Sequence, residues 1–176
     1  ILNKILLNPT RIGFFNIIEK MGAIVEYKNV VESFGEKMGD IKIIPRKLNA
    51  ITINKKMIPS IIDEIPILAI LASISNGTTK IVGAKDLRYK ECDRIKAICL
   101  NLKNMGVDIY ELDDGFIIKG QNKLKGKLIK TFGDHRIAMA FTIAGLISDR
   151  SIKLDNNQCI KYSCPEFFDM LNDLVN

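Results

Sequence analysis

Two short segments of this chain place acidic and basic side chains directly before stretches of apolar residues. Residues 90–95 are Lys-Glu-Cys-Asp-Arg-Ile, and residues 133–140 are Gly-Asp-His-Arg-Ile-Ala-Met-Ala. If each apolar stretch is a helix, its first turn carries unpaired backbone N–H groups beside the charged side chains, a combination that suits phosphate and carboxylate groups. The two segments therefore predict a site for anionic molecules. Its candidate residues are Lys90, Glu91, Arg94, His135 and Arg136.

A third segment has the same organisation, because Asp63 and Glu64 precede the apolar residues 65–74. Each of these charged positions also has a plain structural interpretation. Asp is a preferred N-cap residue, and Pro66 suits a first helical turn. Residues 90–94 equally fit a solvated helix start with side-chain pairs three and four residues apart. For Asp63, capping and catalysis are compatible, since a carboxylate can accept an amide bond and still face a cleft.

Length and composition favour one domain that handles small anions. With 176 residues, 47% of them hydrophobic, the chain predicts a single domain over residues 1–176. Since the first residue is Ile1, we expect the chain to start inside a longer polypeptide. The net charge of +6 indicates anionic partners, but dispersed basic residues and the absence of Trp argue against nucleic acid. The longest apolar stretches, residues 65–74 and 137–147, are shorter than the roughly 20 residues of a membrane helix.

The four cysteines favour reduced thiols over disulfides or a metal site. Cys92 and Cys99 lie on one predicted helix, and Cys159 and Cys164 lack the Cys-x-x-Cys spacing of many zinc sites. His135 is the single histidine, so zinc ligands are few. We therefore expect a reducing, cytoplasmic setting and no bound metal.

The sequence repeats itself, and this predicts internal symmetry in the fold. Residues 19–23 recur as residues 103–107, and residues 47–53 recur as residues 123–129. The apolar stretch after Asp63 recurs after His135, which predicts that these two residues hold equivalent helix starts and converge on one face. A third helix start of the same kind follows Pro165. The first copy is longer, and its polar residues 28–40 are predicted to form a loop.

Each copy contains the same predicted elements. An amphipathic helix begins near Arg94 and ends at Met105-Gly106, where glycine can take the left-handed conformation. Strands follow at residues 108–112 and 116–119, joined by an Asp-Asp-Gly turn. A strand over residues 127–131 leads into a helix over residues 136–147 that is apolar on nearly every side and so should be buried at the centre.

Taken together, the charged segments resemble the signature segments of EPSP synthases, the 3-phosphoshikimate 1-carboxyvinyltransferases. The resemblance runs from residues 7–11 (Leu-Asn-Pro-Thr-Arg) almost to Asn176 and matches only the C-terminal half of such enzymes. It implies an α/β domain of internally repeated βαβαββ units with central buried helices. This is one of the two globular domains of the enolpyruvyl transferase fold, and the N-terminal half that forms the other is absent from these residues.

The resemblance also implies an activity and its partners. Members transfer the carboxyvinyl group of phosphoenolpyruvate to the 5-hydroxyl of shikimate 3-phosphate and release phosphate, on the route to aromatic amino acids. They need no metal or organic cofactor. The implied partners are the two substrates and the N-terminal domain of the same polypeptide, in a cytoplasmic monomer with no role for nucleic acid or a membrane. The fragment alone is expected to be inactive.

Roles for individual residues follow from the same resemblance. The implied catalytic residues are Asp63, Glu91 and His135. The implied contacts of shikimate 3-phosphate are Asp63, Lys90 and Asp86, and those of phosphoenolpyruvate are Arg94, Arg136 and Lys161. The sequence departs from the family pattern at three places: Cys92 replaces a Ser or Thr, Asp86 an Asn, and Tyr162, beside Lys161, a lysine.

Two other functions compete with this interpretation. The sister enzyme that transfers enolpyruvyl to UDP-N-acetylglucosamine has the same repeat architecture, although its signature segments differ from residues 90–94 and 133–136. A noncatalytic domain that binds anionic metabolites or RNA is the alternative from another class.

Overall fold

The computed structural model describes residues 1–175, and its first part is a three-stranded antiparallel sheet. The first strand, β1, is followed by helix α1 and by the hairpin strands β2 and β3, and the order in the sheet is β1-β3-β2. These elements are β1 (Leu2–Leu6), α1 (Gly13–Lys20), β2 (Ile24–Ser33) and β3 (Glu36–Ile44).

The predicted loop over residues 28–40 is wrong, because these residues belong to the β2–β3 hairpin. The hairpin turns at Phe34 and Gly35, whose φ angles of 51° and 77° are both positive. Two left-handed residues give a turn whose twist matches that of paired strands. The polar composition suggested a loop, but β-branched Val30 and Val31 within the segment favour a strand.

The middle of the chain forms one complete βαβαββ unit. Its four strands make one sheet in the order β4-β5-β7-β6, in which β4 and β5 are parallel and the other pairs antiparallel. The elements in chain order are β4 (Thr52–Ile53), α2 (Ile65–Ile74), β5 (Thr78–Ile81), α3 (Arg94–Asn104), β6 (Asp108–Leu112) and β7 (Gly115–Lys119).

The last part of the chain starts a further unit. Strands β8 and β9 are parallel to each other and flank α4, and two helices follow. The elements are β8 (Leu128–Ile129), α4 (His135–Gly145), β9 (Lys153–Leu154), α5 (Gln158–Lys161) and α6 (Phe167–Val175). The chain thus contains one complete unit, preceded by part of a unit and followed by part of another. This confirms the predicted α/β class with internal repeats.

Equivalent backbone hydrogen bonds confirm the repeats. The carbonyl of Met21 after α1 accepts from the N–H of Asn49, and the carbonyl of Met105 after α3 accepts from the N–H of Lys125. Gly106 ends α3 with a φ of 87°, in the left-handed region that was predicted for it. The two segments therefore fold alike because the same residue types hold the same turns.

Helices α2 and α4 pack against each other in the core. Ile65, Leu68 and Phe141 are fully buried, and burial of each such side chain stabilises the fold by roughly 1.5–3 kcal/mol. The prediction for α4 was wrong at its end, because the helix stops at Gly145 and leaves Leu146 half exposed. Over residues 1–175, no helix has the length and apolarity needed to cross a membrane.

Candidate active site

Three helices begin at one place and bring the predicted site residues together. Asp63 precedes α2, Glu91 precedes α3, and His135 opens α4. The oxygens of Asp63 lie 3.2 Å from Nη1 of Arg94 and 3.3 Å from Nη2 of Arg136. The predicted convergence on one face is therefore confirmed. We refer to these side chains as the charged cluster: Asp63, Glu64, Lys90, Glu91, Arg94, Asp134, His135 and Arg136.

Arg94 lies at the centre of the charged cluster and is only 1% exposed. Its Nε donates to Oδ2 of Asp134 at 2.8 Å, its Nη1 to Asp63, and its Nη2 to Glu91. Burial alone would lower the pKa of the guanidinium, but the hydrogen bond and charge of Asp134, with the charges of Glu91 and Asp63, raise it. Arg94 is therefore a permanent cation in contact with three carboxylates.

Asp134 is the N-cap of α4, a position that Asp commonly occupies. Its Oδ1 accepts hydrogen bonds from the backbone N–H of Arg136 at 2.8 Å and of Ile137 at 3.2 Å. The bond to Arg94 was not predicted, because it joins residues 40 positions apart. The thiol of Cys92 donates to Oδ2 of Asp134 at 3.6 Å, and burial and this carboxylate raise the thiol pKa to about 12.

Asp63 does not cap α2, in contrast to one of the two interpretations of its position. The N-cap of α2 is Glu64, whose side chain makes no capping bond, so Asp63 lies one residue earlier. His135 is the first residue of α4. The predicted equivalence of Asp63 and His135 is therefore wrong by two positions, because Asp63 lies one residue before the N-cap of α2 and His135 one residue after the N-cap of α4. The Asp63 side chain, 25% exposed, instead contacts cations.

Glu91 and His135 lie on the open side of the charged cluster. Oε1 of Glu91 is 3.8 Å from Nδ1 of His135, and the Glu91 side chain is 46% exposed. Nζ of Lys90 is 3.9 Å from Oδ1 of Asp63. A carboxylate, an imidazole and an ammonium group at such separations can accept and donate protons to a bound molecule.

Glu64 and Arg136 border a groove between α2 and α4. Nη1 of Arg136 lies 3.8 Å from the Glu64 carboxylate and 3.3 Å from the carbonyl of Asp63. Burial raises the pKa of Glu64, and the nearby Asp63 adds to this while Arg136 opposes it. The groove has a volume of about 160 Å³. Apart from Asp63, its other lining residues are apolar, among them Ile67, Met139 and Ile143.

Two predicted site residues lie outside the charged cluster. Asp86 is exposed in a short 3-10 helix, Lys85–Tyr89, and Lys161 is exposed at the end of α5. Neither takes part in an ion pair among residues 1–175. Nor do His, Cys, Asp or Glu side chains in that part of the chain form a group of three or more that could hold a metal ion.

Arg88 supports the site and was missed by the sequence analysis. Its Nη1 donates to Asp93 at 2.8 Å, and its Nη2 donates to Glu111 at 3.0 Å and to the carbonyl of Leu112 at 2.7 Å. These bonds tie the segment that carries Lys90 to the β6–β7 hairpin. No local pattern reveals them, because Glu111 is 23 residues away in sequence.

Comparison with known proteins places these residues in a family. The family model described as EPSP synthase (3-phosphoshikimate 1-carboxyvinyltransferase) matches residues 1–171. A 3-phosphoshikimate 1-carboxyvinyltransferase of Sulfurihydrogenibium sp. is 46% identical over 97% of this chain and 39% of its own length. The chain thus spans about 40% of the length of the curated relatives it matches.

Solved structures agree with this assignment. EPSP synthase from Acinetobacter baumannii superposes with a TM-score of 0.91 and 36% identity, over 98% of this chain and 40% of that one. The enolpyruvyl transferase NikO from Streptomyces tendae has a TM-score of 0.63 at 18% identity, over 92% of this chain and 34% of that one, a likeness of fold alone. The chain therefore belongs to the family of EPSP synthases, the 3-phosphoshikimate 1-carboxyvinyltransferases.

Proposed function

We propose that this chain is the C-terminal part of a 3-phosphoshikimate 1-carboxyvinyltransferase. The reaction moves the carboxyvinyl group of phosphoenolpyruvate to the 5-hydroxyl of shikimate 3-phosphate and releases phosphate. The observation that carries the proposal is the charged cluster, in which Arg94 and Arg136 both contact Asp63 within 3.3 Å. Two arginines beside a carboxylate suit a reaction between anionic substrates that also moves protons.

In the proposed reaction, the acidic residues transfer protons. Transfer proceeds by addition and then elimination through a tetrahedral intermediate. In the addition, the 5-hydroxyl loses a proton to Asp63 while the methylene carbon of the donor gains one from Glu91. In the elimination, the resulting methyl group returns that proton and phosphate leaves. His135, whose Nδ1 is 3.8 Å from Glu91, stabilises the charge that Glu91 acquires as it gives up its proton.

The basic residues bind the two substrates. Arg94 and Arg136 bind phosphoenolpyruvate, because a guanidinium meets a carboxylate or phosphate with two parallel hydrogen bonds. Lys90, which already lies 3.9 Å from Asp63, binds shikimate 3-phosphate beside the reacting hydroxyl. Asp86 stays a predicted contact of shikimate 3-phosphate and Lys161 of phosphoenolpyruvate, both from outside the charged cluster.

The chain supplies one wall of this site. The groove beside Asp63 has a volume of about 160 Å³, less than the ~300–1,000 Å³ typical of ligand pockets. We infer that residues 1–176 form a single domain and that an N-terminal domain of the same polypeptide closes the cleft. The complete enzyme would be a cytoplasmic monomer without a metal or organic cofactor.

Phosphate release tests the proposal. The full-length protein, given phosphoenolpyruvate and shikimate 3-phosphate, is expected to release phosphate, whereas the isolated 176-residue chain should show no significant turnover. Phosphate release with UDP-N-acetylglucosamine as the only acceptor would instead support the sister activity. No reaction with either acceptor, together with salt-sensitive binding of RNA, would favour a nucleic-acid-binding role and overturn the proposal.

A further inference from the structure

Asp134 is a buried carboxylate whose bonding capacity is filled within the protein. It is fully buried where the N-termini of α3 and α4 meet. Oδ1 accepts two backbone N–H groups of α4, and Oδ2 accepts Nε of Arg94 and the thiol of Cys92. A carboxylate offers about four acceptor positions, so Asp134 has none left for a substrate.

These bonds fix the direction of the Arg94 guanidinium. Asp134 faces its Nε edge, with Nε at 2.8 Å from Oδ2 and Nη2 at 3.5 Å from Oδ1. The adjacent edge at the end of the guanidinium, with Nη1 and Nη2, points to Asp63 and Glu91 on the open side. Two coplanar N–H groups on one edge are what bidentate binding of a carboxylate or phosphate requires.

We infer that Asp134 is a positioning residue that sets the guanidinium of Arg94 relative to that of Arg136, so that both arginines meet one anionic donor. Asp134 acts through Arg94 and also binds the backbone N–H of Arg136. The side chains of both arginines contact the carboxylate of Asp63. The inference rests on the proposed function. It adds a role for a residue that touches no substrate.

Capping alone does not account for a charged residue here. Ser, Thr and Asn cap helices about as well as Asp, and a buried carboxylate costs several kcal/mol in lost hydration. The charge is stabilised by Arg94, the one cation that contacts Asp134 among residues 1–175. In α3, the Asp93 side chain caps by accepting from the N–H of Lys96, and its ion pair is with Arg88 rather than with Arg94.

The substitution Asp134→Asn in the full-length transferase tests the inference. Asn keeps the shape and the capping oxygen, but its amide nitrogen or neutral oxygen replaces a charged acceptor of Arg94. Hydrogen bonds to charged groups contribute about 1.5–3 kcal/mol, which corresponds to a KM for phosphoenolpyruvate raised roughly 10- to 100-fold. The KM for shikimate 3-phosphate should stay near its wild-type value.

Asp93→Asn is the matched control, because Asp93 also caps a helix and also pairs with an arginine, Arg88, at 2.8 Å. It should lower thermal stability without changing the KM for phosphoenolpyruvate. In an Arg94→Lys background, Asp134→Asn should lose most of its effect on donor affinity. An unchanged donor KM for Asp134→Asn, or an equal effect in both backgrounds, would overturn the inference.

Asp134→Ser covers the case in which Asp134→Asn folds poorly, since Ser is also a good cap. A raised donor KM for Asp134→Ser would support the positioning role. If neither variant folds, the carboxylate serves the fold itself and the inference is overturned. A wild-type protein that does not release phosphate would instead remove the proposed function, so the two failures are distinguishable.

Discussion

Helices α2 and α4 occupy the same position in two copies of one unit, yet the aspartates that precede them make different contacts. Asp134 precedes α4 and is fully buried, and its carboxylate accepts hydrogen bonds from the helix N-terminus and from Arg94. Asp63 precedes the cap of α2 and keeps its carboxylate at the open side of the charged cluster. The two copies of this helix start therefore differ in whether the carboxylate is buried and fully bonded or open to a bound molecule.

Proline explains in part why α2, unlike α4, has no capping side chain. A capping side chain accepts from the N–H of the second or third helical residue. In α4 these are Arg136 and Ile137, and Asp134 binds both. In α2 the second residue is Pro66, which has no N–H, so one of the groups that a cap would satisfy does not exist. The Glu64 side chain at the cap position makes no capping bond, and Asp63, one residue earlier, contacts the cations of the charged cluster.

The substitution Asp63→Asn should have the largest effect on activity in this comparison. It removes the proton acceptor but no cap, so the turnover number should fall by about 10²–10⁴-fold while the melting temperature changes little. Steady-state kinetics and thermal unfolding of the full-length protein measure the two quantities. Asp113→Asn, at an exposed carboxylate paired with Lys85, is the control for both. A stable, fully active Asp63→Asn protein would contradict the reactive role of this helix start.

Asp134→Ala should differ from Asp63→Asn, because its main effect should be a loss of stability. It leaves Arg94, 1% exposed, without its closest carboxylate and also removes the cap of α4. Loss of one partner of a buried ion pair typically costs about 3–5 kcal/mol of unfolding free energy. Urea denaturation of the full-length protein measures this loss. A loss below about 1 kcal/mol would mean that water or another group replaces the carboxylate, and the structural role would be wrong.

Arg136→Lys should have an intermediate effect, confined to donor binding. Lysine keeps the charge but not the planar pair of N–H groups, so the affinity for phosphoenolpyruvate should fall about 10-fold. Isothermal titration in the presence of shikimate 3-phosphate measures this affinity. Arg46→Lys, at an exposed arginine outside the charged cluster, should leave it unchanged. If both variants bind phosphoenolpyruvate with the same affinity, Arg136 does not bind the donor.

Glu64→Gln should have the smallest effect, visible in the pH dependence of stability. Burial raises the pKa of Glu64 above its ordinary 4.5, so the folded state holds the proton more tightly than the unfolded state. The stability of the wild-type protein should therefore fall as the pH rises from 4.5 through the raised pKa. The variant should lack this fall and gain at most about 0.5 kcal/mol at neutral pH, measured by thermal melts across that range.

Much of this architecture could be predicted from local sequence. The apolar stripe of α3, the glycine that ends it and the Asp-Asp-Gly turn between β6 and β7 all follow from neighbouring residues. The recurrence of the apolar stretch after Asp63 and after His135 was enough to predict that these helix starts converge on one face. These features are encoded within a few residues, and so a linear pattern carries them.

Long-range contacts could not be predicted in this way. The bonds of Arg88 to the β6–β7 hairpin and of Asp134 to Arg94 join residues 23 to 40 positions apart. The hairpin over residues 28–40 was missed because pairing of two polar strands depends on backbone twist at Phe34 and Gly35 rather than on an apolar pattern. Individual patterns therefore located the site, while tertiary contacts decided which carboxylate is buried and which is open.

We propose that the open side of the charged cluster performs the proton transfer of a carboxyvinyl transferase. Glu91, 46% exposed and 3.8 Å from Nδ1 of His135, is the residue that carries it most directly. The decisive measurement is the single-turnover rate of Glu91→Gln in the full-length protein, saturated with both substrates and compared with wild type. We expect a rate lower by about 10²–10⁴-fold with substrate affinities nearly unchanged. A near-normal single-turnover rate would contradict the assignment of acid–base chemistry to this cluster.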